Sequence, residues 1–228
     1  MYILEKSIIK TSNNSKEIIS SMDGESVKDR ELFFKKDYYN NILDSHFKFD
    51  YLLPKYMDEY KEVEFICDFH NWINYKPNLY SFIISEKMKN ILEQFDIHKK
   101  QFYNAKVLFE DKYHDYQVWH LFLDGFNEYV DFKQSIFCEY NYEHTEKKGL
   151  ELFKVNNQEE LTDLEYNKNW DSWGFERAVM KPEFKEIDCM AMPYPYGILI
   201  SERLKNELEE AKLTGFEIKP FPVDFEYL

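Results

Sequence analysis

Two stretches of this chain are castings of one pattern, and whatever the chain folds into has to house both. Laid together without a gap, Ile84-Ser85-Glu86-Lys87-Met88-Lys89-Asn90-Ile91-Leu92-Glu93 covers Ile200-Ser201-Glu202-Arg203-Leu204-Lys205-Asn206-Glu207-Leu208-Glu209, and most paired positions are identical or conservative. In each copy an apolar run (Phe82-Ile83-Ile84; Ile198-Leu199-Ile200) ends at a serine. A serine there can cap a helix by accepting a bond from an otherwise orphaned backbone N–H. The glutamate that follows suits the positive end of the helix dipole. Ser85 and Ser201 are therefore read as helix caps.

Beyond the caps, Met88, Ile91, Leu92 and Phe95 recur at helical spacing and form one apolar stripe. The second copy keeps Leu204, Leu208 and Ala211 but carries Glu207 in place of Ile91, so its buried face should be narrower. Lys212 and Gly215 supply a helix stop, and Phe216-Glu217-Ile218 alternates as a half-buried strand does. Gln101 to Leu108 fills that place in the first copy. Each unit reads as strand, serine-capped helix, strand, and a tyrosine precedes both (Tyr80, Tyr196).

The rest of the chain adds mostly strands. Tyr2 to Ile9, Val63 to Phe69, Tyr116 to Leu123, Gln134 to Glu139, Leu150 to Val155, Arg177 to Met180 and Ile187 to Met190 have strand character. Asp124-Gly125-Phe126-Asn127 has turn chemistry, and Gln158 to Leu164 suits a short helix. Thr11 to Asp29 reads as a polar loop with a short helix around Lys16 to Met22; Glu31 to Tyr60 shows no winning period. Asn167 to Gly174 reads as a loop. The fold class this predicts is α+β, with a mixed, mostly antiparallel sheet and two similar strand–helix–strand units. The expected organisation is an irregular, strand-rich region over residues 1–78 packed on an α+β region over residues 79–228, or one continuous domain.

With 228 residues, 44% of them hydrophobic, the chain can build a substantial core. A net charge of −14 argues against a nucleic-acid binder, which needs a basic footprint, and against an anionic membrane surface. A basic protein partner would be attracted. Nothing in Met1 to Lys10 resembles a signal peptide, and the uncharged run from Cys189 to Ser201 is interrupted by Pro193, Pro195 and Gly197. A cytoplasmic protein is expected. Cys67, Cys138 and Cys189 are widely spaced, as buried thiols in a reducing compartment would be.

Catalytic motifs are lacking: no Gly-x-Ser-x-Gly elbow, no phosphate-binding glycine loop, no His-Glu-x-x-His. His114 and His120 with Asp111 and Asp115 come nearest to a metal set, and Cys67 with His70 to a nucleophile pair; both fit better as structural residues. No cofactor and no metal is expected.

The run Gly197 to Asn206, continued by Leu213-Thr214-Gly215-Phe216-Glu217-Ile218-Lys219-Pro220, resembles the carboxy-terminal signature of a bacterial immunity-protein family of polymorphic toxin systems, long known as a domain of unknown function. A strand like Tyr116 to Leu123 followed by Val130-Asp131-Phe132-Lys133-Gln134-Ser135 is similar to the middle of that family. The resemblance spans roughly residues 80–223, departs at Lys212 where the family often has glycine, and brings no catalytic residues. It implies a non-enzymatic inhibitor that binds and neutralises a cognate secreted toxin, and this chain's acidity points to a basic one. The alternative from another class is a small soluble hydrolase or transferase with a scattered site. An inhibitor's contact patch is expected to centre on Trp and Tyr inside a polar rim. Trp170, Asp171 and Trp173 are the first candidates, extended by Tyr113, Asp115, Tyr140, Tyr142 and Glu143. The competing reading puts both tryptophans in the core.

Overall fold

The computed structural model describes residues 1–6, 8–10, 15–22, 51–56, 63–72, 80–123, 125–140, 147–170, 172–192 and 197–228. The chain is α+β with mostly antiparallel sheets. Its first unit comprises strands β5 (Phe69–Trp72) and β6 (Tyr80–Ser85), helix α1 (Glu86–Leu92), then β7 (Lys100–Phe109) and β8 (Lys112–Leu121). β8 sits between β6 and β7 and is antiparallel to both, with Trp119 opposite Phe82 on one side and Phe102 on the other.

The second unit comprises β12 (Cys189–Met192), β13 (Gly197–Ile200), helix α4 (Glu202–Glu210) and β14 (Phe216–Pro220). Its central strand is β1 (Tyr2–Lys6), from the other end of the sequence. β1 lies antiparallel between β13 and β14, with Leu4 opposite Ile198 and Ile218. With Ile84 laid over Ile200, these registers coincide: Phe82 and Phe102 fall on Ile198 and Ile218, and Trp119 falls on Leu4. The two sheets share one strand order, β5-β6-β8-β7 and β12-β13-β1-β14.

A local hydrogen-bond device repeats as well. Ser85 Oγ accepts from Met88 N at 3.2 Å and donates to Asp68 Oδ1 at 2.7 Å. Ser201 Oγ accepts from Leu204 N at 3.1 Å and donates to Asp188 Oδ1 at 2.6 Å. Each aspartate also accepts from the loop after the other unit's helix: Asp68 Oδ2 from Thr214 N at 3.0 Å, Asp188 Oδ2 from Asp96 N at 3.1 Å. Backbone bonds follow the same exchange, from Phe69 N to Thr214 O and from Asp188 N to Asp96 O. The units thus interlock through reciprocal contacts, and both helices bury their stripes (Met88, Ile91, Leu92; Leu204, Leu208) in one core with Trp119 and Leu4.

The second unit's sheet is apolar on both faces, because Ile3, Met190, Met192 and Leu199 point away from that core into another. The second core is closed by a sheet of β10 (Lys147–Phe153), β9 (Ile136–Tyr140), β11 (Ser172–Met180) and β15 (Phe225–Tyr227), where β15 is parallel to β11. Helices α2 (Phe126–Tyr129) and α3 (Gln158–Lys168) precede its strands. The first unit's sheet extends through β4 (Leu52–Tyr56), β3 (Ser15–Met22) and β2 (Ile8–Lys10). Because β3 pairs with β5 as well as β4, six of these strands close into a ring. Closure explains why every residue from Tyr116 to Leu121 is buried: one face meets the helices, the other the ring's interior.

Several expectations change here. Lys16 to Met22 is strand, held by pairing on both sides. Val63 to Asp68 is not strand; the strand starts at Phe69, the last residue of the expected one, and continues to Trp72. β11 begins at Ser172, inside the expected loop. Residues before 78 supply strands to both units, β1 to one and β5 to the other, so the division at residue 78 runs through the first unit. No described helix is long and apolar enough to cross a membrane.

Candidate partner surface

The structure separates the two tryptophans. Trp173 is in β11, 4% exposed, edge-on to Phe137 and Phe175 at centroid distances of 5.6 and 5.5 Å. It is core, which corrects its place among the candidate contact residues. The alternation Trp173-Gly174-Phe175 is a strand signal masked by the polar Asn167 to Ser172 before it. Gly174 is needed at this point: a Cβ there would stand 2.5 Å from the Tyr140 ring. That stacking leaves Tyr140 half-buried, a second departure from the expected patch. Trp170 is partly buried against Phe153 at 4.8 Å, beside the exposed ion pair of Lys168 with Glu151. Asp171, Tyr142 and Glu143 lie outside the described residues.

Tyr113 and Asp115 lie at the surface as an interface needs. Tyr113 is 59% exposed at the outer end of the β7–β8 hairpin and meets Tyr51 edge-on at 5.9 Å. Asp115 pairs with Lys106 at 2.7 Å across the same hairpin, in solvent, where such a pair is worth ~0.2–1 kcal/mol. The turn residues Glu110 and Asp111 both have left-handed backbone (φ 48° and 59°). Two-residue hairpin turns require this conformation and usually assign it to Asn-Gly. The sequence does not mark Glu110 as a surface feature, nor Tyr166, which stands 85% exposed on α3 between Glu165 and Asn167.

Potential chemical groups point inward. The N–H of Cys67, not its thiol, contacts His70, donating to Nε2 at 3.1 Å. Nε2 is therefore the acceptor and Nδ1 carries the proton. Burial lowers the His70 pKa to about 4 and raises the Cys67 thiol to about 11, the reverse of a thiolate–imidazolium pair. Ser81 Oγ and His120 Nδ1 are 2.8 Å apart inside the strand ring, the nearest approach to a nucleophile–base pair. Both are almost fully buried, and burial lowers His120 to about 4. Neither lines a described cavity. Ser81 bonded to His120 is a pattern that paired spacing cannot reveal, since their adjacency comes from strand register. His114 lies in β8, where its ring meets Phe109, and no group of three metal-ligating side chains occurs among the described residues.

Among the cavities on the described surface, one of ~710 Å³ lies between the α2 region and the start of α3. One of ~420 Å³ is lined by Glu86, Asn104 and Gln117, whose side chains form a hydrogen-bond chain. Another, of ~340 Å³, is at the β7–β8 turn. No family model matches the chain, and no curated protein matches it.

Proposed function

We propose that this chain is an immunity protein, a non-enzymatic inhibitor that acts in the cytoplasm by direct contact with a cognate, basic toxin domain. The observation that carries the reading is the hairpin end of the first unit, where the exposed Tyr113 stands among Glu110, Asp111 and Asp115 on a chain of net charge −14. Aromatic anchors slow dissociation, and a surrounding field of one sign speeds encounter with an oppositely charged partner. The resemblance over residues 80–223 supports the same reading. So does the inward placement of Cys67, His70, Ser81 and His120, buried and neutral rather than gathered at an open cleft.

The test is association with the product of the neighbouring gene, measured at two salt concentrations. Tight binding is expected, with an association rate that falls as salt rises. Tyr113→Ala should weaken it by ~2 kcal/mol or more while leaving the melting temperature near that of the native protein. Hydrolytic turnover by the purified chain, or no association with that product, would overturn the reading.

A further inference from the structure

The cavity at the β7–β8 turn has a composition with one natural occupant. Its walls are apolar, formed by Leu53, Pro54, Val63 and Phe109. Its remaining described lining includes three carboxylates, Glu64, Glu110 and Asp111, and no basic residue among the described residues. None of the three has an ion pair or a side-chain hydrogen bond with a described residue, in contrast to Asp115, which is neutralised by Lys106 nearby.

We infer that this cavity receives a lysine or arginine side chain of a protein partner, its aliphatic stem lying on Leu53, Val63 and Phe109 and its cationic head among Glu64, Glu110 and Asp111. Long basic side chains divide in this way, burying the stem while the head stays among polar groups. The volume, ~340 Å³ and open to solvent, admits one such side chain. The assignment rests on the proposed immunity function for the identity of the partner. The chemistry of the cavity is independent of it.

Two experiments separate the two claims. In the first, the full chain is titrated with n-butylguanidinium and, separately, with its neutral counterpart n-butylurea, while the methyl NMR signals of Leu53, Val63 and Leu108 are followed. Saturable shifts with the cation and much weaker ones with the urea are expected. The double substitution Glu110→Gln/Asp111→Asn, at exposed positions where Asn accepts left-handed backbone, should weaken cation binding at least about fivefold. Absent shifts, equal binding of the urea, or full cation affinity in the charge variant would overturn the cavity assignment. In the second, the same variant and Val63→Phe, which fills the cavity, are tested against the neighbouring gene's product. Loss of affinity of about tenfold in both supports the assignment. Affinity equal to that of the native chain in both would sink it and leave the immunity reading standing. Conversely, a native chain that takes up n-butylguanidinium but ignores that product would retain the cavity and refute the immunity reading.

Discussion

In the first unit the central strand, β8, follows β7 through a two-residue turn; in the second, that place is taken by β1, and the chain after β14 departs to pair β15 with β11. Around this exchange little else differs. Strand order, register, cap serine and capping aspartate are held in common, whereas Ile91 becomes Glu207 and Lys87 becomes Arg203. At the second of these positions each side chain makes its own polar contact: Arg203 bonds Asp188 through two nitrogens, at 3.1 and 2.8 Å, while Lys87 Nζ reaches Ala211 O at 2.6 Å. The lesson is that the unit is specified by its register and caps, and that the source of its central strand is free to vary. Local contact closes one unit and long-range contact the other.

The largest expected effect follows from that difference. A chain lacking residues 1–6 loses the middle of the second unit's sheet and, with Ile3 and Leu4, atoms from both large cores. It should show no cooperative thermal transition. A cooperative melt near that of the full chain would mean that β1 is an accessory, and the equivalence with β8 would fail. A finer version compares the paired central residues, both fully packed: Trp119→Ala should cost ~3–5 kcal/mol and Leu4→Ala ~2–5 kcal/mol by denaturant unfolding.

The capping aspartates come next. Asp188 is 2% exposed and serves Ser201, Asp96 N and Arg203; Asp68 is half-exposed and serves Ser85 and Thr214. Asp188→Ala should cost ~2–4 kcal/mol, because three part-buried donors, Ser201 Oγ, Asp96 N and the Arg203 guanidinium, lose their acceptor together, and Asp68→Ala ~1–2 kcal/mol. Equal losses would imply that solvent does not reach Asp68 after all.

The units also differ in their response to acid. His70 and His120 are buried in the first unit's ring with pKa values lowered to about 4, while the strands of the second unit contain no histidine. For each, burial is the leading cause, opposed at His70 by a backbone hydrogen bond at Cys67 and by the Asp68 charge. The unfolded chain binds these protons with a pKa near 6.5 and the folded chain does not. Stability from this source is complete above that value and is lost as pH falls from about 6.5 toward 4, with a limiting slope of ~2.7 kcal/mol per pH unit for two protons. His70→Gln/His120→Gln should flatten unfolding free energy against pH in this window. An unchanged slope would place the acid sensitivity elsewhere.

The duplicated helices and their caps were legible because each signal is local: serine, acidic first turn, three-and-four spacing. What escaped is set by pairing across the chain. Asp68 and Asp188 precede unlike strands, Phe-His-Asn-Trp and Cys-Met-Ala-Met, so nothing nearby marks them as counterparts. Ser15 to Met22 is polar and became strand through its neighbours. Val63 to Cys67 has the composition of a strand, but it packs on Phe109 as irregular chain. At the candidate surface, Tyr113 and Asp115 were legible from composition, whereas the cavity beside them joins residues from β4, from the segment at Val63 and from the hairpin turn. Only the closed ring of strands brings these three together.

The smallest effect is the sharpest test of equivalence. Replacing either cap serine with alanine leaves one helix N–H without its acceptor, Met88 N or Leu204 N, at ~1 kcal/mol. Each serine also donates to its aspartate, and there the units part. Asp68 can recover a donor from water because it is half-exposed; Asp188 is sealed and must rely on Asp96 N and Arg203. Ser201→Ala should therefore cost more than Ser85→Ala, by a few tenths to about 1 kcal/mol, the lower end of what an unsatisfied buried acceptor incurs. Glycine at the same positions separates the terms, since it restores solvent access to the helix end and so recovers most of a lost cap but supplies no donor to the aspartate. Ser85→Gly should approach the native stability, and Ser201→Gly should retain a deficit. Identical behaviour of the two glycine variants would show that Asp188 needs no donor from Ser201, and that the two caps are interchangeable despite their different burial.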